Sequence, residues 1–282
     1  MQLTRNLSGA ARRLVLLAPS ASEIPAVFYN HHEDAELHDH LLGEMQRLRG
    51  RVYLQDGAIE RSQLTRDGRH NVPADSSSWH VLTVDAENRV LGCARYLPYP
   101  NSVAFVDLGI RRCPLAQHDR WSGKFRNAVE AQLSVARRDD LACVEVGGWA
   151  LAEDLRASME ALRVALSSYA LAYLLGGCIG FTTATTRHSS SSILRRLGGK
   201  PLVANGLEIP SYYDPQYDCE MEMLCFDSRQ LNPRYRAWAE ELQSDLMTAP
   251  VVYSPLAMQD KREVVREHHV AAQQLWMAET AS

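Results

Sequence analysis

Apolar residues recur at helical spacing in several segments of the chain. In the first, Leu37, Leu41, Met45 and Leu48 fall on one face of a helix predicted over 33–49. Similar patterns predict five further helices, over 119–137, 152–175, 189–197, 235–247 and 260–278. Two of these helices are followed directly by paired glycines, which are typical of helix ends.

Two other patterns predict strands. Residues 79–85 and 89–97 alternate between apolar and polar around a short turn, which predicts an antiparallel hairpin. Residues 141–151 and 178–184 are apolar on both faces, as expected for central strands. Because a helix connects this second pair, we expect two parallel neighbours joined by a right-handed crossover. Shorter extended segments are expected over 52–54, 103–108, 201–204 and 219–226.

The order of these elements predicts an α/β fold, with a mixed twisted sheet flanked by helices and extra helices at the C-terminal end. We expect an irregular N-terminal arm over 1–32, one α/β domain over 33–227 and a helical extension over 228–282. The last predicted helix is expected either to dock on the core or to mediate a homodimer.

The composition indicates a folded protein that does not bind nucleic acid. The 282 residues are 46% hydrophobic and carry a net charge of -4, and an acidic balance does not suit a nucleic-acid surface. No run of 18 apolar residues occurs, so we expect no transmembrane segment and a cytoplasmic location. The six cysteines include no C-x-x-C pair, which predicts buried thiols in a reducing compartment.

Four histidines near the first helix resemble a metal cluster in composition only. His31 and His32 precede the helix, and His38 and His40 lie within it. Residues two apart on a helix point in different directions, so His38 and His40 cannot face one ion. We therefore predict no metal site.

Glu145 is the most informative polar residue, because it lies inside an apolar strand. A buried carboxylate is costly unless it is paired, for example with Arg95, or has a raised pKa that suits a general base. Gly147 and Gly148 follow directly, and glycines inside a strand typically mark a bulge. A bulge here would part this strand from its parallel neighbour and open its amides to an extended, amide-bearing ligand such as pantetheine.

Three segments in this order resemble the GNAT superfamily of acyltransferases. They are most similar to the acyl-homoserine-lactone (autoinducer) synthases and the related N-acyl amino acid synthases. Arg49–Tyr53 is similar to the synthases' R-x-x-V-F, Gly92–Pro98 to their G-x-x-R-L-x-P, and Glu145–Leu151 to their E-L-S-R-F-A-V. A fourth segment, 194–199, lies where both families have a short helix that ends at a glycine. The resemblance covers roughly residues 37–226.

The resemblance implies roles for individual residues. Glu145 takes the place of the glutamate that helps to deprotonate the acceptor amine. The acceptor side is further expected to involve Arg95, Arg49 and Asp75. The bulged strand is expected to bind the pantetheine of the donor, with its backbone amides polarising the thioester carbonyl. The residues assigned to the donor are Val146, Gly147, Gly148, Trp149, Ala150 and Arg156.

The departures from the family pattern narrow the expected activity. Gly148 stands where the synthases have an arginine, and Ile59 falls near the position of their N-terminal tryptophan, so homoserine lactone formation is not expected. GNAT enzymes usually also have a tyrosine acid on the short helix. His188 or Ser190 is the available substitute there, although a solvated helix cap is the simpler interpretation of both.

The segment after the bulged strand bears on the donor. It lacks the glycine-rich loop that binds the coenzyme A pyrophosphate, and Glu153 and Asp154 occupy the start of the next helix instead. This favours acyl carrier protein over coenzyme A. Carrier proteins are acidic and need a basic patch, for which the candidates are Arg137, Arg138, Arg156, Arg163, Arg195 and Arg196.

Together these features predict an N-acyltransferase. It would move a fatty acyl group from an acyl carrier protein or acyl-CoA thioester to the amine of a small acceptor such as an amino acid. The thioester would be a co-substrate, with no bound cofactor. The alternatives are an acetyl-CoA-dependent N-acetyltransferase and a non-catalytic ligand-binding protein. The aromatic loop 209–217 is expected either to line the pocket or to cover the sheet edge.

Overall fold

The computed structural model describes residues 12–20, 22–156 and 158–254. Five α-helices occur in these ranges: α1 (Ala35–Gln55), α2 (Ser122–Arg138), α3 (Glu160–Leu174), α4 (Ser190–Leu197) and α5 (Arg236–Thr248). The first six strands are β1 (Arg13–Leu17), β2 (His31–Glu33), β3 (Trp79–Val84), β4 (Val90–Tyr99), β5 (Ala142–Leu151) and β6 (Cys178–Thr185). The others are β7 (Lys200–Pro201), β8 (Val203–Ala204), β9 (Leu207–Glu208), β10 (Tyr212–Asp214), β11 (Cys219–Asp227) and β12 (Val251–Tyr253).

Ten of these strands form one mixed sheet. Nine follow the order β10-β11-β6-β5-β4-β3-β1-β12-β2, and β7 pairs with β11 beside this path. The β3–β4 hairpin is antiparallel, and β5 and β6 are parallel neighbours joined through α3, as the sequence predicts. The strands β8 and β9 make a separate small hairpin.

Helices cover both faces of the sheet. Side chains alternate along β5, so that Cys143 packs in the cluster under α2 while Val144 packs under α3 and α5. The helix α1 lies on the same face as α2 and covers β1, β3 and β4. Within the described ranges, no helix is both long and apolar enough to cross a membrane.

Three predicted segments are wrong in their secondary structure. Residues 52–54 continue α1, because Val52 packs with the buried leucines of that helix. Residues 103–108 are not a strand but contain a 3-10 turn over Phe105–Asp107. The helix predicted from 152 begins at Glu160, after a 3-10 turn over Glu153–Leu155.

The expectation of an irregular arm over 1–32 is also wrong in part. Residues 13–17 form β1 inside the main sheet, between β3 and β12. The strand β12 comes from the predicted helical extension, so both flanking segments contribute to the sheet. The division at 32 and 227 stays a prediction, and the helix predicted over 260–278 lies outside the described residues.

Gly180 allows an aromatic ring to lie on the sheet. It faces Phe226 directly across the β6–β11 pair. A Cβ at position 180 would lie 2.0 Å from Cζ of the phenyl ring. The ring also packs against Tyr169 of α3, at 5.2 Å between centroids. Gly180 therefore fixes the distance between α3 and the sheet beside the parting of β5 and β6.

We expect Gly180→Ala to destabilise the fold. The added methyl group overlaps the Phe226 ring, which lowers the free energy of unfolding by about 1–3 kcal/mol in urea denaturation. The double variant G180A/F226L should recover part of this loss. Gly123→Ala, whose Cβ meets no atom within 4 Å, is the control. An equal loss of stability in both alanine variants would contradict a steric overlap between residue 180 and the Phe226 ring.

Candidate active site

The two central strands part in the middle of the sheet. Pairing between β5 and β6 ends at Glu145 and Phe181, although β5 continues to Leu151. Beyond Glu145, β5 pairs only with β4 in the described structure. The backbone groups on its other edge are therefore available to a ligand.

An extra residue in β5 forms a bulge against β4. The register shifts between Cys93 and Arg95, so that two residues of β5 stand opposite one residue of β4. Gly148 lies in this bulge with φ of +62°, a left-handed conformation that favours glycine. The paired glycines thus form the bulge that the sequence predicts, next to the parting of the strands.

A pocket of about 410 Å³ opens where β5 and β6 part, on the face covered by α1 and α2. Its volume falls in the range of roughly 300–1,000 Å³ that is typical of small-molecule sites. The apolar wall includes Ile110, Cys113, Phe181, Tyr212, Cys219 and Met221. The charged side chains around it are Asp56, Arg95, Arg112, Glu145, Arg187 and Asp214.

Two donors hold the buried carboxylate of Glu145. Its Oε1 accepts a hydrogen bond from the backbone amide of Ile110 at 2.8 Å, and its Oε2 accepts one from the Tyr99 hydroxyl at 2.9 Å. The carboxylate also lies against Gly109, where a Cβ would be only 2.6 Å from Oε2. An ion pair with Arg95, one of the two alternatives considered for this carboxylate, is not found among the described residues.

These contacts hold the carboxylate at a fixed position. Burial, and next the negative charge of Glu145, raise the pKa of Tyr99, so its phenol stays protonated and remains a donor. A carboxylate has about four lone-pair positions, of which two are used here. Glu145 lines the pocket and keeps the capacity to accept a proton from a bound ligand.

Arg95 faces the same pocket without a carboxylate partner among the described residues. Its Nε is buried and has no hydrogen-bond partner in this part of the chain. An arginine with open donors in a pocket is suited to bind a carboxylate or a carbonyl oxygen. The role of Arg95 on the acceptor side remains a prediction.

Arg49 and Asp75 form a buried ion pair outside the pocket lining. Two hydrogen bonds join them, at 3.0 Å and 2.6 Å, and Arg49 is only 1% exposed. Nη1 of Arg49 lies 3.3 Å from where a Cβ of Gly148 would be. The pair therefore packs against the bulge in this structure, and direct contact with an acceptor stays a prediction.

Most of the residues assigned to the donor line the pocket. Val146, Gly147, Gly148 and Trp149 do so, whereas Ala150 packs under α1. Arg156 lies outside the lining and forms an ion pair with Asp56 at 2.9 Å.

Several arginines considered for a basic patch are neutralised by acidic partners. Arg138 pairs with Asp139 and Arg163 with Glu160. Arg195 of α4 pairs with Glu222 of β11 at 2.8 Å. These arginines present little net positive charge to an acidic carrier protein.

Sequence reasoning missed the groups that hold Glu145. Tyr99 was detectable in principle, because period-two alternation places it on the same face of β4 as Arg95. Gly109 and Ile110 lie in a 3-10 turn with no periodic signal. In the aromatic loop 209–217, Tyr212 and Tyr217 line the pocket. The same loop contains β10, which is the edge strand of the sheet.

The two residues considered as substitutes for the tyrosine acid lie at or just before the start of α4. Ser190 lines the pocket at the start of α4, and the side chain of His188 lies outside the described structure. In the described part of the chain, no three His, Cys, Asp or Glu side chains are grouped so that they could hold a metal ion.

Solved structures resemble this chain at low sequence identity. A CoA-dependent acyl-homoserine lactone synthase, BjaI, solved with SAM and isopentyl-CoA, has a TM-score of 0.52 and 13% identity over 86% of this chain and 93% of its own. An N-acyl amino acid synthase, FeeM, from uncultured soil microbes has a TM-score of 0.47 and 11% identity over 79% of this chain and 93% of its own. No protein-family model and no curated protein sequence matches the chain. The chain thus has a GNAT-like fold, as the sequence resemblance implies.

The network under the bulge should make stability depend on pH. Burial lowers the pKa of His80 from 6.5 to about 4, and its Nε2 donates to the Asp75 carbonyl at 2.9 Å. The unfolded chain then binds a proton that the folded chain does not. Stability is therefore complete above pH 6.5 and falls as the pH drops towards 4, by at most about 1.4 kcal/mol per pH unit for this group.

Urea denaturation between pH 7 and 4 tests this expectation. His80→Gln, which retains a side-chain donor, should flatten the dependence. Part of the slope remains, because burial also lowers the pKa of His70. His32→Gln on the exposed strand β2 is the control. If the free energy of unfolding depended on pH equally in wild type and His80→Gln, His80 would not be the cause of the dependence.

Proposed function

We propose that the protein is an N-acyltransferase that moves a fatty acyl group from a thioester to the amine of a small acceptor. The observation that carries the proposal is the position of Glu145. Its carboxylate is buried, fixed by Tyr99 and Ile110, and faces a pocket at the point where two parallel strands separate. A general base and open strand amides thus lie within one site.

The chemistry uses these two features in one addition–elimination. An acceptor amine transfers a proton to Glu145, directly or through water, and its nitrogen attacks the thioester carbonyl carbon. Backbone amides of β5 beyond Glu145 stabilise the oxyanion of the tetrahedral intermediate. The carbon–sulfur bond then breaks, an amide remains, and the thiolate leaves and takes up a proton. Arg95 orients an acceptor that carries a carboxylate, such as an amino acid.

The pocket favours an acyl chain longer than acetyl. Its apolar wall runs from Ile110 to side chains of β6, β10 and β11, which is more surface than a two-carbon group can cover. This supports fatty acyl transfer over the acetyltransferase alternative. We keep both a carrier protein and coenzyme A as donors, with the carrier protein preferred because Glu153 and Asp154 replace a pyrophosphate loop.

The specificity constant should rise with the length of the acyl chain. Burial of each added methylene stabilises the complex by about 0.8 kcal/mol, so kcat/KM should increase roughly fourfold per methylene until the pocket is filled. Thiol release with acyl-CoA and acyl-pantetheine donors of two to twelve carbons measures this. A maximum at acetyl would instead support the acetyltransferase.

Glu145→Gln should abolish transfer and leave the fold intact. The amide side chain has nearly the same shape but cannot take the amine proton, so we expect the rate to fall by roughly 10²–10⁴-fold. Thiol release in mixed amino acids, with mass spectrometry of the N-acyl products, measures the loss. Glu220→Gln on an exposed position of β11 is the matched control.

Two outcomes would count against the proposal. Unchanged turnover in Glu145→Gln would remove the assigned role of the base. No turnover by the wild type with any donor, together with thermal stabilisation by acyl thioesters, would favour a non-catalytic binding protein.

A further inference from the structure

The side chain of Trp149 presents a hydrogen-bond donor that the described structure does not use. Its indole Nε1 is buried and has no partner among the described residues. An indole N–H that is buried without a partner costs free energy, and tryptophan usually satisfies it.

The bulge determines where this indole lies. In a regular strand, residues 147 and 149 would share one face of the sheet. The extra residue at Gly148 shifts the alternation, so Trp149 packs towards α3 while Ala150 packs towards α1. Trp149 thereby reaches the face of the sheet opposite the base, Glu145.

Trp149 also lines two cavities, the main pocket and a smaller one. A second cavity of about 40 Å³ lies on the α3 side, between β5, β6 and α4. Five residues line both this cavity and the main pocket: Val146, Gly147, Trp149, Thr182 and Leu194. The lining of the smaller cavity is mostly apolar, and Ser168 and Thr182 are among its few polar side chains.

From this arrangement we infer that the indole N–H of Trp149 binds an amide carbonyl of the pantetheine arm of the donor. This inference rests on the proposed function for the identity of the donor. A narrow gap between parted strands fits an extended chain, and an acceptor oxygen at Trp149 would satisfy the buried N–H. Trp149 is thus a specificity-determining residue that selects thioesters with an amide-bearing arm.

The test compares donors with and without amides, on wild type and on Trp149→Phe. The donors are hexanoyl-pantetheine and S-propyl hexanethioate, which carry the same acyl group. Calorimetric binding without an acceptor should show that Trp149→Phe weakens hexanoyl-pantetheine by about fivefold to tenfold and leaves the amide-free thioester within twofold. Trp121→Phe, a half-buried tryptophan outside both cavities, is the control and should change neither.

A second measurement uses the unaltered chain. The five tryptophans give five indole N–H signals in protein labelled with ¹⁵N-tryptophan. Saturating hexanoyl-pantetheine should move one of them downfield, and S-propyl hexanethioate should not. Equal weakening of both thioesters by Trp149→Phe, no weakening of either, or the absence of an amide-specific shift would overturn the inference.

Neither experiment requires turnover. Failure of the proposed function, for example no turnover by the wild type with any donor, would leave these binding results interpretable. Conversely, an active enzyme whose affinity for pantetheine is independent of the indole would refute only the role of Trp149.

Discussion

The site depends on the separation of two parallel strands that begin as hydrogen-bonded neighbours. While β5 and β6 are paired, their edges are satisfied and nothing can lie between them. Past Glu145 the same backbone lines the pocket and is unpaired towards β6 in the described structure, so its polar groups depend on a ligand or water for hydrogen bonds. The carboxylate stands at the last paired residue, where the closed sheet becomes an open cleft.

The buried ion pair between Arg49 and Asp75 packs against the bulge in β5. Burial alone would raise the pKa of the Asp75 carboxyl, but the hydrogen bond and charge of Arg49 outweigh it and lower that pKa. Gln46 adds a further hydrogen bond to Asp75 at 3.0 Å. Such a pair contributes little net stability relative to apolar packing, whereas loss of one partner is expensive. Because the Arg49–Asp75 pair packs against Gly148, it limits how the bulge can relax.

The sequence predicts those parts of the structure that have their own local pattern. The β3–β4 hairpin and the parallel β5–β6 pair follow from periodicity and the handedness of crossovers. Glu145 stands out as a charge within an apolar strand, and the glycines beside it mark the bulge. Each of these signals lies in the segment itself or in the helix that joins two neighbouring strands.

Features made by distant segments are not visible in this way. The strand β1 is five residues long, and its partner β12 comes from the far end of the chain. Val52 has a preference for strands that burial in α1 overrides. The amide of Ile110 binds Glu145 across 35 residues, and a backbone donor in a turn leaves no trace in side-chain type.

The pairing of β1 with β12 also has a consequence for how the chain folds during synthesis. Leu14–Leu17 acquire β3 as a neighbour early, but their other edge stays open until residues 251–253 leave the ribosome. An apolar strand with a free edge is a template for unwanted pairing with other chains. Nascent chains that stall before Val251 would therefore aggregate more readily than the finished protein. This hazard arises in the half of the sheet furthest from the pocket between β5 and β6.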